Sequence, residues 1–165
     1  MKTVTDLIDF LHSDKSYDTR KYIVEQIVRT PDQNKGFFWE KVLAKAMPHC
    51  KYIGGNNKGY DFLPCMSDAK IATFYKKTDG KLEASIGIKN KVGTLRVCLV
   101  VPGQFYHRVC FMLIPYESYK KYLKGSGALK VHINERGAIT GKFAVHVCKW
   151  AEVIKPLHKL DTQNV

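Results

Sequence analysis

No stretch of the chain approaches the roughly 20 consecutive apolar residues that a helix needs to cross a bilayer. Met1–Asp14 mixes acids with apolar residues, unlike the layout of a signal peptide. Both absences argue against a membrane-embedded or exported protein and set the expectation of a soluble, cytoplasmic one with no membrane partner. Cysteine is scarce and unpatterned. Cys50, Cys65, Cys98, Cys110 and Cys148 lie far apart, their number is odd and no CxxC pair occurs. A disulfide framework or a structural zinc site is therefore not indicated. His49-Cys50, or His146 with Cys148, would each offer only two ligands, and buried free thiols are the plainer expectation. Internal repeats, low-complexity tracts and long linkers are also missing.

Acidic residues become rare after residue 40. Residues 1–40 carry six Lys/Arg against seven Asp/Glu, whereas residues 41–165 carry 21 against eight. The whole of the net charge of +12 thus sits on the larger part, the first 40 residues being slightly acidic, which suits a polyanionic partner such as nucleic acid. A well-solvated lysine-rich surface is the plainer alternative. With 165 residues, 45% of them hydrophobic, the chain is long enough and apolar enough for one globular domain.

What is present reads as α+β, helices first and then a mixed sheet. Helical spacing is expected over 3–13, 17–29 and 36–47, the last stopped by Pro48. Gly54–Gly59 is a loop by composition. Strands are expected over 60–63, 67–77, 82–90, 93–101 and 107–115, where Val, Ile, Phe, Tyr and Thr concentrate. The runs 93–101 and 107–115 are nearly continuous in apolar residues, which places them centrally in the sheet. A helix over 116–124 follows, then a last hairpin of 129–134 and 139–148 turning at Glu135-Arg136-Gly137. Thr78–Lys81 is another turn.

The chemistry concentrates in Gly59-Tyr60-Asp61-Phe62-Leu63-Pro64-Cys65-Met66-Ser67-Asp68-Ala69-Lys70. Pro64 suits a tight turn, so Asp61 and Asp68 should flank a hairpin centred on Pro64 and Cys65. With symmetric pairing, positions 61 and 68 face each other, their Cβ atoms about 5 Å apart, where like charges destabilise. Pro64 cannot take the positive φ of the favoured two-residue hairpin turns, so the register is open to slippage. Two opposed carboxylates in a basic segment suit a hard divalent cation. Mg²⁺ binds through one or two carboxylates and keeps waters for substrate phosphate. Lys70, two residues beyond Asp68, projects from the same strand face. There its ammonium can orient or help deprotonate an attacking water. The bland alternative is two turn aspartates and a surface lysine.

This pattern resembles the PD-(D/E)XK nuclease superfamily, the fold of many type II restriction enzymes and of the mismatch-repair nicking endonuclease. Asp61 matches its first acid and Asp68-Ala69-Lys70 its (Asp/Glu)-x-Lys element, while Gly59-Tyr60 replaces the nominal Pro. The resemblance in element order spans about residues 36–124. It leaves 1–35 as a helical extension and 125–165 as a C-terminal hairpin and tail. It implies a restriction-endonuclease-like core and Mg²⁺-dependent hydrolysis of DNA, with Mn²⁺ as a possible substitute. Asp61, Asp68 and the Ala69 carbonyl would hold the metal, Lys70 would position the water, and Glu40 on the preceding helix would assist. Glu40 reads equally well as a solvent-facing residue. A sequence-specific, restriction-type enzyme acting on double-stranded DNA as a homodimer is the favoured version. Homing, repair or junction nucleases of the same fold are others, and a non-catalytic basic DNA- or RNA-binding domain is the rival class.

Other nuclease signatures are incomplete. Tyr52-Ile53-Gly54 is half of a GIY-YIG pair, but no Gly-Ile-Tyr precedes it, and no His-Asn-His cluster occurs. Candidate DNA contacts are Asn56, Asn57 and Lys58 before the motif, and Lys89, Asn90, Lys91 and Arg96 after it. Lys130, His132, Asn134, Arg136 and Lys142 on the last hairpin could enter a groove. For each set a solvated face is an equally good account.

Overall fold

The β-branched and aromatic runs beyond residue 60 build two sheets in a computed structural model that describes residues 25–53, 61–102, 108–125 and 127–157. The helix expected over 3–13, most of that over 17–29, and Asn56, Asn57 and Lys58 lie outside these residues. Residues 25–29 are helical. Helix α1, Asp32–Ala46, follows. It begins four residues before Gly36, because Pro31 supplies the N-cap position and Asp32 the acidic first turn, where the helix dipole favours negative charge.

The larger sheet holds β1 (Lys51–Tyr52), β2 (Phe62–Leu63), β3 (Ser67–Thr73), β6 (Thr94–Val101), β7 (Arg108–Ile114) and β10 (Val147–Cys148), side by side in that order. Only the β3–β6 pair is parallel. The smaller sheet is antiparallel, in the order β4 (Tyr75–Lys76), β5 (Leu82–Gly87), β8 (Ala128–Ile133), β9 (Ile139–Thr140). The mixed α+β arrangement agrees with the sequence reading. All eight residues of β6 are buried, as expected of a central strand.

Alternation along the strands divides the core in two. On one face of the larger sheet, Ala69, Cys98 and Val100 meet Trp39, Val42 and Leu43 of α1. Trp39 donates from Nε1 to the Arg96 carbonyl at 3.0 Å and stacks on Phe111, ring centroids 5.8 Å apart. On the other face, Leu95, Val97 and Leu99 meet Ala84, Ile86, Leu129 and Val131 of the smaller sheet. Each fully buried Val, Leu or Ile contributes about 1.5–3 kcal/mol, so β6, lined on both faces, dominates the burial. The short helices α2 (Tyr116–Tyr119) and α3 (Trp150–Val153) complete the two sides. No described helix is long and apolar enough to cross a membrane.

Several boundaries differ from the sequence reading. The run 67–77 is two strands in different sheets. Phe74, 1% exposed, fills the core at the break while its N–H still donates to the Val100 carbonyl. The expected strand 139–148 divides at Gly141, whose φ of 100° suits glycine. Its first part stays in the smaller sheet, and Val147–Cys148 crosses to β7. The helix expected over 116–124 continues beyond α2 only as a 3₁₀ turn at Lys120–Tyr122.

Glu83 anchors the outer face of the smaller sheet. It accepts from the Tyr75 hydroxyl at 2.6 Å and pairs with His132 Nε2 at 2.9 Å and Lys77 Nζ at 3.5 Å. The Tyr75 hydrogen bond, then His132 and Lys77, lower its pKa to about 2. A depressed acid stabilises the fold above its unfolded pKa near 4.5 and loses that contribution as pH falls towards 2. Glu83→Gln is therefore expected to lower Tm at neutral pH, with the gap from wild type closing between about pH 4.5 and 2 in a melting series. A pH-independent gap would contradict this account.

Candidate active site

Next to its turn, the hairpin joining β2 to β3 has the symmetric register that the sequence suggests. Phe62 pairs with Ser67, and the Asp61 N–H donates to the Ser67 carbonyl at 2.9 Å. Asp61, just outside β2, thus shares Ser67 with Phe62 rather than continuing the register to Asp68, but its carboxylate still lies close enough to Asp68 to act on it. Both aspartates are buried, at 2% and 0% exposure. The like charges are separated in role. Asp61 Oδ2 turns onto the strand and accepts the Ala69 N–H at 2.9 Å, just past the end of β2. A strand residue directs its N–H and C=O to the same flank, so the Ala69 carbonyl faces that edge too.

Asp68 lacks such a partner. Among the described residues neither of its buried carboxylate oxygens receives a directed hydrogen bond. Two ammonium groups approach it instead, Lys91 Nζ at 3.0 Å and Lys70 Nζ at 3.9 Å from Oδ2. Burial and the Asp61 carboxylate push the Asp68 pKa up to about 8, with Lys91 acting in the opposite direction. Burial lowers Lys70, aided by Lys91 and opposed by Asp68, Asp61 and Glu40. Burial thus draws both members of the Asp68–Lys70 pair towards their neutral forms.

Glu40 reaches the site from α1. It is half-buried and accepts the Tyr52 hydroxyl at 2.8 Å on Oε2. Burial and this bond push Tyr52 up to about 12, with Asp61 and Asp68 adding to the rise. Tyr52 is a site residue that sequence reasoning treated only as half of an unrelated signature. No local pattern links it to Glu40, twelve positions earlier.

Gly93 is a second residue missed in the sequence. A Cβ there would lie 1.9 Å from the Met66 carbonyl oxygen, so only glycine lets the turn before β6 close onto the motif hairpin. Thr94 N–H then donates to Met66 O at 3.1 Å, and the buried Tyr119 hydroxyl donates to the Gly93 carbonyl. Gly93→Ala is expected to cost about 1–3 kcal/mol through overpacking, read as a lower denaturation midpoint. An unchanged midpoint would show that the two backbones can separate freely.

The expected DNA-contacting residues divide. Lys89 and Asn90 are exposed on the turn before Lys91, with Asn90 at φ 63°. Lys91 is turned inward, 14% exposed. Arg96 requires a correction. It is 0% exposed, donating to Ser67 Oγ and to the carbonyls of Val153 and Lys155, so it ties β6 to the chain around α3 and does not face a ligand. An open groove on the smaller sheet, between Lys77, Lys81, His132 and Arg136, includes none of the motif residues.

No group of three or more His, Cys, Asp or Glu side chains converges among the described residues, so no ready-made protein cage for a metal is present. A hard cation does not need one. Mg²⁺ accepts one or two carboxylates and completes its shell with water. The Asp68 oxygens, which accept no directed hydrogen bond among the described residues, the adjacent Asp61 carboxylate and the Ala69 flank form an oxygen donor set that fits it. In comparison with known proteins, no family model, no curated protein and no solved structure matches the chain.

Proposed function

We propose that this chain is a Mg²⁺-dependent DNA endonuclease of the PD-(D/E)XK kind, acting in the cytoplasm on double-stranded DNA. The observation that carries this reading is Asp61 brought near Asp68 by one hairpin, with Lys70 on the Asp68 face. Burying a carboxylate that accepts no directed hydrogen bond is costly, and a bound metal would offset that cost further than the two neighbouring lysines do. The basic balance beyond residue 40 suits a phosphate backbone.

In this mechanism Asp61, Asp68 and the Ala69 carbonyl would hold the ion. Bound there, Mg²⁺ would polarise the phosphodiester and offset its developing negative charge. Lys70 would hydrogen-bond a water beside the scissile phosphate, and burial, which lowers its pKa, would ease its part in proton transfer as that water attacks. Glu40, held by Tyr52, keeps Lys70 oriented and tempers the effect of burial on it. Exposed Lys89 and Asn90 meet the DNA backbone. A restriction-type enzyme cutting both strands would act as a homodimer, one active site per strand.

Incubation of supercoiled plasmid with the protein tests this reading. Mg²⁺-dependent nicking or linearisation, abolished by EDTA, is the expected result. Retarded DNA with no cleavage under any divalent cation would favour the non-catalytic nucleic-acid-binding alternative.

A further inference from the structure

We propose that Lys91 occupies the cation position on Asp68 while the site is metal-free, and that a divalent cation must displace it to bind. This inference rests on the reading of Asp61 and Asp68 as metal ligands.

Lys91 is the nearer of the two ammonium groups to Asp68, at 3.0 Å against 3.9 Å for Lys70. The contact is ionic without being a directed hydrogen bond, since Asp68 Oδ2 has none among the described residues. A second cation can therefore take its place without breaking an oriented network. The two cations compete for one carboxylate: an ammonium 3.0 Å from Oδ2 repels a second positive charge brought to Asp68, while Mg²⁺ requires ligands at about 2.0–2.1 Å in near-octahedral geometry.

The surrounding architecture separates the two lysines. Lys70 projects from β3, paired with β6 along its length. Lys91 closes a turn, its N–H donating to the Ile88 carbonyl at 3.0 Å, next to exposed Lys89, Asn90 and Val92. Its flexible four-carbon stem can swing outward from a fixed backbone. Displaced, the ammonium would join Lys89 on the outer surface, where an arriving phosphate would meet it. Lys91 therefore covers Asp68 in the empty site and contributes to substrate binding in the loaded one.

Calorimetric titration of Mg²⁺ into the DNA-free full chain tests this with wild type, Lys91→Met and Asp68→Asn. Wild-type affinity is reduced by the fraction of molecules whose Asp68 is already taken. Lys91→Met is therefore expected to bind about tenfold tighter, a typical size for such coupling. Asp68→Asn is expected to lose binding. Lys91→Met binding equal to or weaker than wild type overturns the displacement while leaving the metal site standing. Unchanged binding in Asp68→Asn, or none in any of the three, overturns the metal site and the inference with it. Lysine acylation mapped by mass spectrometry supplies a readout on wild type alone, independent of how the variant folds. Lys91 labelling should rise when Mg²⁺ is added, and labelling that does not respond to a bound cation contradicts the displacement.

Discussion

Lys70→Ala is expected to slow the cleavage step by about 10²- to 10³-fold while leaving Mg²⁺ and DNA binding largely intact. Losing one group that acts on the transition state typically has that effect. Lys70 is well placed for it because two opposing influences meet there. Burial lowers its pKa, and the carboxylates of Asp68, Asp61 and Glu40 keep it from falling further. The result is a lysine whose ammonium can donate to a water and whose deprotonation burial makes easier. Lys70→Arg should not restore the rate, since a guanidinium stays charged and presents a different shape. Single-turnover kinetics with enzyme in excess isolates the step. A Lys70→Ala rate within a fewfold of wild type would remove Lys70 from the chemistry.

Asp68→Asn is expected to abolish cleavage and also to change how stability depends on pH. In the metal-free protein the Asp68 pKa stands near 8, against 3.8 for an ordinary aspartate. Between those values the folded state holds a proton that the unfolded chain releases, so wild-type stability falls as pH rises from about 4 to 8. Asparagine carries no such burden. The variant should gain on wild type across that window and level off above it, less whatever is lost by leaving Lys91 without its partner. Mg²⁺ should restore wild type and do nothing for the variant, because the ion binds only where a carboxylate can give up its proton. Parallel melting curves with and without Mg²⁺ measure this. Identical pH profiles for the two proteins would mean that Asp68 is not held in an unfavourable ionisation state.

The parts legible in the sequence are those set by local rules. The hairpin about Pro64–Cys65, with Phe62 paired to Ser67, follows from the turn and the two-residue period of a strand, and it brings Asp61 and Asp68 near each other without any long-range information. The turns at Thr78–Lys81 and Glu135–Gly137 are marked by glycines at φ 86° and 76°. The buried run of β6 announces a central strand. What was not legible depends on distant partners. Arg96 looks like a surface cation beside Lys89 and Lys91, but the carbonyls of Val153 and Lys155, nearly sixty residues away, draw it inside. Phe74 sits in an unbroken β-rich run, and only the second sheet reveals why the strand must end there. Lys91 reads as one basic turn residue among several until the fold brings Asp68 to it. Gly93 is the one missed residue with a visible signal, a glycine just ahead of a buried strand, where close backbone approach is a standing possibility.

The most direct measurement of the central claim is cleavage of duplex DNA under single-turnover conditions with Mg²⁺, for wild type and Asp68→Asn purified side by side. The metal-site account predicts strand breaks with wild type only, dependent on added Mg²⁺, and none with the variant although it is folded and still binds DNA. Equal cleavage by both proteins, or none by wild type with either Mg²⁺ or Mn²⁺, would contradict it.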